Sequence, residues 1–347
     1  MRTFRIANFE YRIGSTAILI VALALGLLVV PVCSEAQQAG KMYRIAYVTV
    51  PTRPPAVSLA GLEAFRHVLG DRGWVEGKNV EIEIRSTELD KDLSEVVAQV
   101  VREKFDLIVT TNNPSALAAK GATTTIPIVM AVSVDPVGGG LVGSLAHPGG
   151  NVTGLTLMAA EVTGKRIELL TEMVPGLRRV AALYNPVGRT FPVTVAWVNQ
   201  SEATARALGI TLQRAELDPL IHADRWDAAF AALKKDGVGA LTVVEGPRFI
   251  LQTPQIAAAA LKHGLATVFP YREQVEAGGL MSYGADLVGM WQRAAHFVDR
   301  ILRGAKPGDL PIEQPTTFEL VINLKTAKAL NLTIPPALRI RVDQVIE

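Results

Sequence analysis

The residues of this chain best placed to do chemistry are polar groups that sit directly behind short apolar runs. Thr110-Thr111-Asn112-Asn113-Pro114-Ser115 follows one such run. Hydroxyls, amides and free backbone N–H groups at the start of a helix suit a carboxylate, helped by the positive end of the helix dipole. The same residues also serve as caps, since Asn113 or Ser115 can close a helix start and Pro114 can begin it. The next run ends in Ser133-Val134-Asp135-Pro136, where Asp135 can hold an amine or brace the turn. Tyr184-Asn185-Pro186 and Val244-Glu245-Gly246-Pro247 occupy matching places later in the chain. Glu245, an acid at the end of an apolar strand, is set to take an ammonium group or to remain a solvated loop acid, and Asn185 offers amide hydrogen bonds. Tyr271 and Tyr283 can lend ring faces or pack as core tyrosines with satisfied hydroxyls. The candidate ligand-binding set is Thr111, Asn112, Asn113, Ser115, Ser133, Asp135, Asn185, Glu245, Tyr271 and Tyr283.

Enzyme signatures are weaker. Gly138-Gly139-Gly140-Leu141-Val142-Gly143 fits G-x-G-x-x-G, but Asp135-Pro136 intervenes after the strand and Glu161 opens a helix instead of ending a strand, against a dinucleotide site. No G-x-S-x-G and no G-x-x-x-x-G-K-[ST] occurs. His67, His147, His222, His263 and His296 lack H-E-x-x-H spacing and a neighbouring Cys, and read as surface or packing residues. No cofactor or metal is expected. Asn151-Val152-Thr153 and Asn331-Leu332-Thr333 match the glycosylation sequon and read equally as strand or turn chemistry.

The elements that must position these loops alternate regularly. Strands are expected at Tyr43 to Thr49, Val80 to Arg85, Leu107 to Thr110, Ile128 to Ala131 and Val152 to Leu157. Helices are expected between them at Val57 to Leu69, Leu93 to Glu103, Ser115 to Ala122 and Val137 to Ala146. A second series has strands at Val180 to Tyr184, Thr211 to Leu217, Ala240 to Val244 and Ala266 to Phe269. Its helices are expected at Thr163 to Met173, Val193 to Leu208, Trp226 to Lys235 and Pro254 to His263. This alternation is the β-α-β pattern of parallel sheets covered on both faces, with right-handed crossovers. Similar strands recur in both series, Arg44 to Val48 beside Arg179 to Leu183 and Asp106 to Val109 beside Ala240 to Val243, which suggests two like lobes. The remaining elements, a strand at Gly278 to Gly284, a helix at Leu287 to Leu302, a strand at Phe318 to Ile322 and a helix at Leu324 to Leu330, are too few for a domain. They are expected to complete the two sheets, with the chain crossing between lobes more than once.

Composition sets the class. Of 347 residues, 49% are hydrophobic and 20% charged, which fits a globular protein and excludes disordered and polytopic membrane chains. A net charge of +2 gives no basic field to gather phosphates, so no nucleic-acid partner is expected. The single Cys excludes a disulfide framework and a Cys-based zinc site. Arg2, Arg5 and Arg12, the apolar run Ala17 to Val32 and the small residues up to Ala36 read as a secretory signal over residues 1–36, cut after Ala36. A single membrane anchor and lipidation at Cys33 are the alternatives.

Several motifs together resemble the ABC transporter substrate-binding proteins related to the tryptophan-binding TrpX group. They are Ala36-Gln37-Gln38, Thr124 to Val129, Asp135-Pro136-Val137, His147 to Gly154, Gly278 to Gly284 and Phe318 to Ala327, and the resemblance runs over nearly all of residues 37–347. It implies an α/β type I periplasmic-binding fold, two Rossmann-like lobes with parallel sheets joined by a three-strand hinge, and a ligand held in the cleft. The lobes are expected at 37–157 plus 285–311 and at 158–284 plus 312–347. The function expected is that of a periplasmic, monomeric, non-enzymatic solute-binding subunit. It takes a small amino acid or related carboxylate by hinge closure and delivers it to an ABC permease in the inner membrane. A ligand-sensing module for a receptor and an exported α/β enzyme are the alternatives.

Overall fold

The computed structural model describes residues 41–50, 56–88, 92–157, 159–185, 192–217 and 223–347. The signal and Cys33 readings, Pro186 and His222 lie outside them. Residues Tyr43–Glu347 form one compact unit.

Five parallel strands form the first sheet: β1 (Tyr43–Thr49), β2 (Val80–Ser86), β3 (Leu107–Thr110), β4 (Ile128–Met130) and β5 (Val152–Gly154), in the order β2-β1-β3-β4-β5. The central strands β1, β3 and β4 are buried on both faces, which is why they read as continuous apolar runs. Edge strand β2 instead alternates, with Glu81 exposed beside buried Val80 and Ile82. Helices α1 (Ala56–Asp71), α2 (Leu93–Arg102) and α3 (Asn113–Ala122) link these strands. In α2, Leu93, Val97 and Val100 are buried, spaced four and three residues apart, so they form one apolar face.

The second sheet holds β6 (Arg179–Tyr184), β7 (Thr211–Glu216), β8 (Ala240–Val243), β9 (Ala266–Phe269), β10 (Met281–Gly284), β11 (Glu319–Asn323) and β12 (Gln344–Ile346). Its order is β12-β11-β10-β9-β8-β6-β7. The stretch β7-β6-β8-β9-β10 repeats the order of the first sheet, as the sequence similarity suggests. Its helices are α4 (Ala159–Met173), α5 (Pro192–Ala207), α6 (Ala223–Lys235), α7 (Pro247–Leu251), α8 (Thr253–Lys262) and α9 (Arg272–Glu276). Strand β11 runs antiparallel to β10, and β12 adds in parallel to β11.

The chain passes between the sheets three times. After β5 it continues through Leu155, bridged to Glu313, and Leu157, bridged to Val134, into α4. After β10 it returns through Gly284 to α10 (Leu287–Leu302), which packs on α1 of the first lobe. After Glu313 it goes back to β11, then α11 (Leu324–Ala329) and α12 (Pro336–Arg339). Helix α10 completes the first core: Leu287, Met290, Trp291, Ala294 and Val298 join Leu62, Phe65 and Leu69 of α1. The two helices approach closely because Gly61 carries no side chain, and a Cβ there would fall on the Trp291 ring.

One expected helix is absent. Residues 137–146 form turns, with Asp135 at φ 42° and Gly140 at φ 72°. The Asp135 carboxylate accepts from Gly138 N–H at 2.8 Å, a local bond that competes with helix hydrogen bonding. Three consecutive glycines each cost about 1 kcal/mol relative to alanine in a helix. The glycine motif therefore opens no helix. The expected strand at Gly278 starts only at Met281, because Gly278 (φ 106°) turns the chain. Strand pairing expected to reach Leu157 becomes isolated bridges after Gly154.

Two outcomes follow. Gly61→Ala should lower stability by about 1–3 kcal/mol through overpacking against Trp291, even though alanine favours the helix; the urea midpoint measures this. Asp299 of α10 is 5% exposed and accepts from Trp74 Nε1 at 2.8 Å, Arg72 Nη1 at 2.9 Å and Arg303 Nε at 2.6 Å. Burial pushes its carboxyl up, but these donors together pull it below the ordinary carboxylate range. Because the folded value is the lower, this stabilisation is complete above the unfolded value and is lost as pH falls through the folded one. Asp299→Asn should cost ~2 kcal/mol at neutral pH, and the difference from the parent protein should shrink on acidification in pH-resolved thermal melts.

Candidate ligand-binding site

The carboxyl ends of the two sets of strands face a shared cavity of about 220 Å³. In parallel sheets this is where loops and helix N-termini converge. From the first lobe come Thr49 and Val50 after β1, Ser58 of α1, Thr111 to Pro114, Val132 to Val134, Leu157, and Leu287 and Trp291 of α10. From the second come Asn185 after β6, Thr194 and Trp197 of α5, Val244 to Gly246 after β8, Arg248 to Ile250 of α7, and Tyr271 after β9. Aromatic rings thus stand on both walls.

The loop after β3 is ordered by its own side chains. Asn112 caps α3, its Oδ1 accepting from Ser115 N–H at 2.9 Å, and Pro114 starts the helix. Asn113 is committed to the neighbouring loop, donating to Val134 C=O at 2.6 Å and accepting from Val134 N–H at 2.7 Å. Thr111 Oγ1 donates to Thr49 Oγ1 at 3.1 Å, and Asn112 Nδ2 reaches Thr111 at 3.4 Å. That last contact is long, so the Asn112 amide keeps donor capacity at the helix N-terminus.

On the facing wall Glu245 is held by Arg166 of α4. Arg166 Nη1 donates to Glu245 Oε1 at 2.5 Å, with side-chain exposures of 3% and 6%. Arg166 Nε also donates to the Tyr283 carbonyl in β10 at 2.7 Å. Glu245 Oε2 is buried with no hydrogen-bond partner. Burial first, and then the Glu245 charge, push the Tyr271 hydroxyl well above its ordinary range, so it stays a neutral phenol. Arg248 crosses the cleft and donates through Nη2 to the Glu88 carbonyl at 3.0 Å.

Of the ten candidates, Thr111, Asn112, Asn113, Ser133, Asn185, Glu245 and Tyr271 border the cavity, while Ser115, Asp135 and Tyr283 do not. Ser115 is fully buried and its hydroxyl donates to Asn112 C=O at 2.9 Å. Asp135 is exposed and spends its carboxylate on the Gly138 turn. The Tyr283 ring stacks on Phe318 with centroids 5.9 Å apart. Ser133, though at the cavity, gives its hydroxyl to Leu155 C=O at 2.7 Å. Sequence reasoning passed over Arg166, Trp197, Arg248, Phe249 and Trp291. The chain has four Trp, and two of them border the cavity; that scarcity was the usable signal. Nothing local marks Arg166. Among the described residues, no group of three or more His, Cys, Asp or Glu is gathered to hold a metal, and no helix is long and apolar enough to cross a membrane.

Residues 48–346 match the family described as ABC transporter substrate binding protein. The chain is 27% identical over 280 residues to a tyrosine-binding protein of Clostridioides difficile, covering 78% of this chain and 76% of that one. Among solved structures it is similar to a conserved domain protein of Vibrio cholerae, with TM-score 0.78, 26% identity and coverage of 89% and 100%. A Streptococcus pneumonia ABC domain in complex with L-Trp matches with TM-score 0.76, 24% identity and coverage of 88% and 99%. The fold is the type I periplasmic-binding fold, two Rossmann-like lobes whose sheets are parallel apart from β11 and β12 at one edge of the second. A family match that begins at Val48 in β1 and ends at Ile346 in β12 spans both lobes, and the chain belongs to the ABC transporter substrate-binding proteins.

Proposed function

We propose that this chain is the extracytoplasmic solute-binding subunit of an ABC importer. It binds a zwitterionic amino acid with an aromatic side chain and passes it to a membrane permease. The observation that carries this reading is the division of polar groups across the cavity. Asn112 and Thr111 at the α3 N-terminus suit a carboxylate, and Glu245 Oε2 on the opposite wall is an acceptor without a donor. Trp197, Phe249, Tyr271 and Trp291 supply an apolar, ring-lined interior. The likeness to a tyrosine-binding protein and to a complex with L-Trp supports the same ligand class.

The mechanism is hinge closure at the three crossings, with 37–157 plus 285–311 and 158–284 plus 312–347 as the moving bodies. A ligand that touches both walls only when the cleft is shut shifts the equilibrium toward the shut form. A 100-fold preference for that form corresponds to about 2.7 kcal/mol. No bond of the ligand changes, no cofactor takes part, and the subunit acts as a monomer in the periplasm without nucleic acid.

L-Tyrosine or L-tryptophan should raise the melting temperature of the protein by mass action. In isothermal titration, Glu245→Gln should weaken binding of the amino acid by about 30-fold to several thousand-fold, and by much more than it weakens binding of the deaminated analogue. Equal losses for the two ligands would remove Glu245 as the amine partner. Small-angle scattering should show a smaller radius of gyration at saturation, and an unchanged profile would rule out closure.

A further inference from the structure

Arg166 does not border the cavity, yet it makes the contact that decides what Glu245 can do. Its guanidinium, fixed on α4, is shared between Glu245 Oε1 and the Tyr283 carbonyl of β10, the strand that leads into one of the three crossings. The pairing leaves the other carboxylate oxygen, Oε2, buried and without a hydrogen-bond partner. The pair also cancels its own charge. The other charged residue that borders the cavity is Arg248, which is engaged with the Glu88 carbonyl at the mouth. A ligand entering this cleft meets a dipolar wall with no net charge between Arg166 and Glu245.

We propose that Arg166 is a specificity-determining positioning residue: by neutralising Glu245 and turning a single carboxylate oxygen toward the ligand, it selects zwitterionic amino acids over ligands of net charge. The inference deepens the amino-acid reading above and rests on it. An unpaired Glu245 behind the same wall would be a buried lone carboxylate, which takes up a proton and ceases to attract an ammonium group. Arg166 of α4 pairs with it, Tyr271 in the loop before α9 feels its charge together with those of Arg166 and Glu273, and Arg248 of α7 borders the same cavity. Tyr271 is neutral, so Arg166 is the group that holds the charge in place.

The test is calorimetric titration of the full mature chain with L-tyrosine, L-tryptophan, 3-(4-hydroxyphenyl)propionate and tyramine across a pH series. The parent protein should prefer L-tyrosine over both singly charged analogues. Arg166→Met should weaken L-tyrosine by about 30-fold or more at neutral pH. That loss should shrink as pH rises and Glu245 regains its charge, while 3-(4-hydroxyphenyl)propionate changes little. Arg166→Lys, which keeps the charge without the fork, should retain the preference for the zwitterion with a pH-flat, smaller loss. Equal, pH-flat losses for L-tyrosine and its deaminated analogue in Arg166→Met would overturn the proposal. So would a folded Arg166→Lys that no longer prefers the zwitterion, and this variant decides the matter should Arg166→Met fail to fold. If Glu245→Gln itself fails to separate the amino acid from the deaminated acid, the amino-acid reading falls and this inference with it. If Glu245→Gln separates them and Arg166→Met is pH-flat, only the inference falls.

Discussion

A carboxylate at the end of a fully buried strand costs several kcal/mol unless a cation comes with it. In this protein that cation is Arg166, and its position links three parts of the structure. The guanidinium joins α4, the loop after β8 and the β10 backbone, so the cleft wall, the helix behind it and the strand that crosses to the other lobe are tied through one side chain. Ion pairs of this kind add little net stability compared with apolar packing, but removing one partner is expensive, which makes the geometry hard to alter piecemeal. The Glu245 loop is thus defined by a contact from an element nearly 80 residues earlier in the chain.

The opposite wall is built by different means. Its order comes from hydrogen bonds between neutral groups: Asn112 capping α3, Asn113 pinning the loop after β4, Thr111 reaching Thr49. Such neutral bonds fix a backbone without burying charge, and they leave N–H groups and the helix dipole as the means of recognition. One wall is a preorganised array of neutral donors and the other a compensated ion pair, an asymmetry that suits a ligand with two unlike ends.

The strands were legible because parallel strands covered on both faces read as unbroken apolar runs, and β1, β3 and β9 begin and end where their runs do. The likeness of the two series of strands was legible for the same reason. Residues 137–146 were misread because their apolar spacing is helical while Gly138 to Gly140 and the Asp135 turn oppose a helix. Polar residues at strand ends pointed to the cavity as a region, since strand ends must converge there. They did not distinguish Asn112 from Ser115, one turn apart on the same helix start, because which side chain is consumed by capping is a matter of backbone geometry. Arg166 was invisible for a stronger reason. Its partners Glu245 and Tyr283 lie 79 and 117 residues away, and no local spacing encodes a contact at that range.

The return of α10 to the first lobe has a consequence for the order in which the molecule can be completed. A ribosome finishes β6 to β10 of the second sheet before it makes Leu287–Leu302, the helix that shelters Leu62, Phe65 and Leu69. Until then the first lobe has its five strands but an open apolar face against which Trp291 and Phe297 have yet to pack. The earlier-made lobe therefore waits for a helix synthesised after β6 to β10 of the other lobe, and a nascent chain carries that uncovered surface until then, when folding intermediates of larger proteins are most prone to stick to one another.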